Sequence, residues 1–92
     1  MRVRFTPEAL GHISGIQFYI EVHSPDVATR IVHRIWAQTE RLADFPDIGH
    51  GGVVFGTREW AVPDLPYLIV YEVNQARNEL IILGVFHGAQ SR

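Results

Sequence analysis

Ninety-two residues, 47% apolar and 20% charged, fit one globular domain spanning 1–92 and exclude a disordered chain. The lack of cysteine excludes a disulfide framework and thiolate chemistry, and no apolar run approaches the about 18 residues of a spanning helix. Eight Arg, no Lys and ten acids leave a net charge of −2, without the cation excess that displaces counterions from nucleic-acid phosphates.

The start, Met1-Arg2-Val3-Arg4-Phe5, is too short and too polar for a signal peptide, so a cytoplasmic protein is expected. Val3 to Phe5 reads as a short strand. Thr6-Pro7-Glu8 then opens a helix, with Thr6 as cap, Pro7 at the first helical position and Glu8 facing the positive end of the dipole. Ala9, Ile13, Ile16 and Ile20 recur at helical spacing and predict its buried stripe. Gly11 and Gly15 lie four residues apart on this helix, each costing about 1 kcal/mol of helix stability relative to Ala. They either admit another backbone at close range or are simply tolerated.

His23-Ser24-Pro25-Asp26 repeats the start signal, and a second helix is predicted to run to about Ala43 with the stripe Ala28, Ile31, Ile35, Thr39 and Leu42. So short a connection predicts an antiparallel helical hairpin. Asp44 to Gly52 is rich in breakers and reads as a loop. Thr57 to Val62 predicts a strand, Pro63 to Pro66 a turn, and Tyr67 to Val73 a strand with Tyr67, Ile69, Tyr71 and Val73 on one face. Asn74 to Asn78 connects to a last strand, Glu79 to Phe86. Leu80 to Leu83 is apolar on both of its faces, which predicts a central place in the sheet. The order β-α-α-β-β-β predicts an α+β domain: a short N-terminal strand, then an antiparallel helical hairpin packed on one face of a mostly antiparallel sheet of about four strands. The other face is expected to be partly open.

That element order and several strings resemble the ParE/RelE toxin family. Phe5-Thr6-Pro7-Glu8-Ala9 is similar to the family's strand-to-helix opening. Phe18-Tyr19-Ile20-Glu21 before Ser24-Pro25-Asp26-Val27-Ala28 is similar to its hairpin joint. Leu42-Ala43-Asp44-Phe45-Pro46-Asp47-Ile48-Gly49 is similar to its exit from the second helix. Tyr67-Leu68-Ile69-Val70-Tyr71 and Val85-Phe86-His87-Gly88-Ala89 resemble its last strands and tail. No single string is specific; their order and spacing across the whole chain are.

The strings lean to the ParE side. That resemblance implies the toxin of a type II toxin–antitoxin system that inhibits DNA gyrase by binding, without chemistry, and that a ParD-like antitoxin neutralises. The RelE side implies instead a ribosome-dependent mRNA endonuclease. A third reading is a non-toxic member that only binds its antitoxin. An antitoxin segment, disordered when free, would fold onto the sheet edge and the groove beside the helical hairpin.

A nuclease needs a general base, a general acid and cations around the phosphate. The residues nearest to that set are Glu59 as base, His87 as acid and Arg58 as cation. Neighbours in a regular strand point to opposite faces, so Arg58 and Glu59 do not share one site. The tail Gly88-Ala89-Gln90-Ser91-Arg92 holds no Tyr, which with the absent Lys counts against RNA cleavage and direct nucleic-acid binding. Contact with the antitoxin or target falls instead to Arg30, Arg34, Arg58, Trp60, His87 and Arg92, since Arg beside an aromatic is typical of binding hot spots. Core packing is the alternative for Trp36 and Trp60, and anchoring of the tail for His87. His12, His23, His33 and His50 have no metal-ligand spacing and read as surface residues. Neither a metal nor a cofactor is expected.

Overall fold

The computed structural model describes residues 1–88. Its elements are β1 (Arg2–Phe5), α1 (Pro7–Glu21), α2 (Pro25–Asp44), β2 (His50–Gly51), β3 (Arg58–Ala61), β4 (Tyr67–Asn74) and β5 (Glu79–His87). Both helices begin where the cap residues place them. Thr6 Oγ1 accepts from the Ala9 amide at 3.1 Å and Ser24 Oγ from the Val27 amide at 3.3 Å, each relieving a helix-end N–H of its missing partner. Thr6 does a second job: its hydroxyl lies 3.2 Å from the carbonyl oxygens of both Ile82 and Leu83, tying the head of α1 to β5.

The sheet order is β1-β5-β4-β3-β2, with β1 parallel to β5 and every other pair antiparallel. β5 is central, as its two apolar faces predict. The sheet has five strands where the sequence suggests about four, because His50–Gly51 pairs with Arg58 and Glu59. A two-residue strand inside a Gly-rich loop leaves no alternation to read.

Both helices pack on one face of the sheet. Ala9 and Ile13 of α1 and Val32, Ile35 and Leu42 of α2 share a core with Val62, Ile69, Tyr71, Leu80, Ile82 and Val85. In α2, Val32 rather than Ile31 is the buried member of the stripe at this turn, and Ile31 packs at its margin. On β5 the core positions Leu80 and Ile82 are followed by Val85, not residue 84. The cause is a bulge: Tyr71 pairs with Ile82 and Val70 with Gly84, so Leu83 is one residue too many and shifts the phase. The reverse face carries Leu68, Val70 and Glu72 half-buried. No described helix is long and apolar enough to cross a membrane.

Candidate functional site

At one end of the sheet, Arg58 and Tyr71 sit opposite each other on β3 and β4 and hold the loop after α2. The Arg58 guanidinium donates to the carbonyl of Asp47 at 2.9 Å and to that of Gly49. Its Nε is buried and makes no hydrogen bond. The Tyr71 hydroxyl, fully buried, donates to the Pro46 carbonyl at 2.7 Å and accepts from the Gly49 amide at 3.1 Å. A Cβ on Gly49 would strike the Tyr71 ring carbon Cε1 at 2.9 Å and the Glu59 carbonyl at 2.8 Å, so only glycine fits under this clamp. Glu59, 4% exposed, projects from the reverse face and accepts from the Val53 amide at 3.4 Å. Arg58 and Glu59 therefore lie on opposite faces, as strand alternation demands.

At the other end of β4 a groove of about 900 Å³ runs between α1 and the end of β5. Gly11, His12, Gly15, Ile16 and Tyr19 form its helical wall, and Tyr67, Val85, Phe86 and His87 its floor. The groove exists because β1 pairs only with Glu79 to Ile82, so that the outer edge of β5 beyond them has no strand beside it. His12 partly covers that edge. Its Nδ1 accepts from the Val85 amide at 3.2 Å and its ring lies 4.7 Å from that of Phe86. This corrects the reading of His12 as a surface residue: it is half-buried and ties α1 to β5. Gly11 and Gly15 meet nothing within 4 Å, so neither serves close packing inside the described chain; both leave the groove wall open. The Tyr67 ring stands edge-on to His87 at 5.8 Å. Burial pushes the Tyr67 phenol above its ordinary value of 10.0, and the neighbouring Tyr19 adds to the effect.

Of the remaining residues singled out from sequence, Arg30, Arg34 and Trp36 lie on α2 and Trp60 on β3. Arg34 donates to the Pro63 carbonyl at 2.6 Å and lies 3.9 Å from Asp64, at the β3–β4 turn. Arg30 is exposed on the same helix. Trp60 packs against the core and donates from Nε1 to Gln38 Oε1 at 2.8 Å. Trp36 meets Phe5 edge-on at 4.5 Å. Arg92 lies outside the described residues. The structure thus gathers His87 with Tyr67 and Tyr19, while Arg58 lies further along the sheet, opposite Tyr71.

The family model for the ParE toxin of type II toxin–antitoxin system, parDE, matches residues 3–92. The chain belongs to the ParE toxin family. A Sinorhizobium fredii protein named "Putative toxin Y4kP" is 38% identical over 89 residues, covering 97% of this chain and 90% of that protein. A solved structure described as the chromosomal ParDE TA system from P. aeruginosa superposes with a TM-score of 0.81 at 22% identity, covering 95% of both chains. The YoeB/ParE toxin from Agrobacterium tumefaciens superposes with a TM-score of 0.67 at 15% identity, over 95% of this chain and 98% of that one. At such identities the two structures show a shared fold.

In this ParE-family chain the sequence reasoning missed most of the groove. A signal was present: α1 carries Leu10, Phe18 and Tyr19 in addition to its buried stripe, Val22 follows at its end, and all four are exposed. A helix that is apolar on more than its core face has a second surface to cover.

Proposed function

We propose that this ParE-type toxin inhibits DNA gyrase by protein–protein binding, without chemistry of its own, and that a ParD-like antitoxin neutralises it at the α1–β5 groove. The separation of the would-be nuclease residues carries the reading. Arg58 pairs with Tyr71 and His87 with Tyr67, positions four residues apart on β4. At about 3.3 Å per residue that is roughly 13 Å along the sheet. A general acid and a charge-neutralising cation must both reach one phosphate, within about 3 Å of its reacting atoms. Arg58 is moreover committed to loop carbonyls, and Glu59 projects from the opposite face.

Supercoiling by purified gyrase, run in parallel with mRNA cleavage in a translating extract, tests the target. Inhibition without cleavage is expected. Undisturbed supercoiling together with cleavage contradicts the proposal in favour of a RelE-like nuclease, and neither effect would fit a non-toxic antitoxin binder.

The antitoxin assignment rests on the groove's open wall and on the exposed Phe18 and Tyr19 beside it, at 69% and 75% exposure. An apolar segment of the antitoxin would fold as it covers them. Gly15→Leu provides the test. A side chain at Gly15 meets nothing, so the free toxin should tolerate it, and replacing a mid-helix glycine should raise stability by about 0.5–1 kcal/mol. The same side chain fills the groove, and titration calorimetry should show antitoxin affinity reduced by about tenfold or more. An unchanged affinity would place the antitoxin elsewhere.

A further inference from the structure

The segment between β2 and β3 carries three consecutive exposed apolar residues, Val53 at 74%, Val54 at 66% and Phe55 at 103% exposure, and Phe55 is the most exposed large apolar residue of the described chain. They are not on a slack loop. The Gly52 amide donates to the Thr57 carbonyl at 2.8 Å, the Thr57 amide to the Val54 carbonyl at 3.1 Å, and the Thr57 hydroxyl to that same carbonyl at 2.6 Å. Gly56 closes the turn at φ +87°, a conformation that side chains rarely adopt. The Val53 amide is held from below by Glu59 Oε2. Phe55 therefore projects from a stiff, closed turn, whose backbone loses little freedom when it is immobilised.

The tip also lies away from the groove. It borders a shallow hollow with Asp47, Arg58, Val73 and Gln75, at the far end of β4 from Tyr67. Antitoxin covering the groove would leave it exposed.

We propose that the Val53–Val54–Phe55 tip is the toxin's anchor for its target, inserting Phe55 into a preformed apolar socket on the poisoned protein. Other occupants fit less well. One Phe and two Val make far less than the roughly 800 Å² per partner of a stable interface, so two copies of the chain do not dimerise on the tip alone. They are enough for a central anchor within a larger contact. A lipid surface favours apolar tips flanked by free cations. This chain has no Lys, its net charge is −2, and the Arg beside the tip is bound to the Asp47 and Gly49 carbonyls.

The inference rests on the reading of the chain as a toxin that acts by protein contact. Phe55→Ser and Val54→Ser test it, with growth arrest on expression, gyrase supercoiling, antitoxin binding and melting temperature measured on each. Both variants should melt as wild type does and bind antitoxin with unchanged affinity. Phe55→Ser should weaken target inhibition roughly 30-fold, as expected for the loss of one interface hot spot, and relieve arrest. Phe55→Trp should restore it. Full arrest by Phe55→Ser overturns the proposal. So does an equal loss of antitoxin affinity, a wild-type dimer or vesicle-bound form that Phe55→Ser abolishes, or a wild type that arrests nothing. Arrest lost with Phe55→Ser, while wild type leaves supercoiling untouched, overturns gyrase as the target and keeps the tip.

Discussion

Arg58 and Tyr71 show how polar groups of an apolar-looking strand pair can serve the loop rather than the site. The buried Tyr71 hydroxyl satisfies both the Pro46 carbonyl and the Gly49 amide. Tyr71→Phe keeps the ring and leaves both groups without that partner, which should cost about 1–3 kcal/mol. In a domain of this size that lowers the melting temperature by about 4–8 °C per kcal/mol, readable by thermal denaturation. A change within error would show that water satisfies the loop unaided. Tyr67 predicts a pH effect. Its folded phenol titrates above 10.0, mainly through burial, so the unfolded chain loses that proton first. Its contribution is intact below pH 10 and is lost as pH rises from there through the raised folded value. Urea midpoints measured across that alkaline window should fall less steeply for Tyr67→Phe than for wild type.

At the scale of elements, the helix starts were legible because Thr6-Pro7-Glu8 and Ser24-Pro25-Asp26 are local chemistry, complete within one turn. Thr6→Ala removes the cap and the hydroxyl near the Ile82 and Leu83 carbonyls together, so a loss of about 1–2 kcal/mol is expected in chemical denaturation. The strands of β4 and β5 were legible from their apolar runs. The bulge at Leu83 was not, since it depends on how β5 registers against β4 and the four residues from Leu80 to Leu83 are uniformly apolar. His12 was misread for a related reason. Its partner is the Val85 amide, 73 residues away, and no spacing within α1 reveals a backbone edge that far along the chain.

For the whole molecule, the α+β architecture and the ParE family could be read from element order, whereas the surfaces could not. Arg34, Arg58 and Trp60 make contacts with the Pro63 carbonyl, the loop carbonyls and Gln38 that no spacing in the sequence reveals. The groove arises from a mismatch in length, a four-residue β1 against a nine-residue β5, which only the assembled sheet exposes. Groove and tip lie at opposite ends of β4, so the proposed antitoxin site and the proposed target anchor would not overlap. The central claim is that inhibition is stoichiometric binding to gyrase. Titrating purified toxin into a fixed concentration of gyrase and following supercoiling tests it most directly. The account predicts that inhibition saturates near equimolar toxin and is reversed by antitoxin; full inhibition by toxin far below the enzyme concentration would mean turnover, and would contradict it.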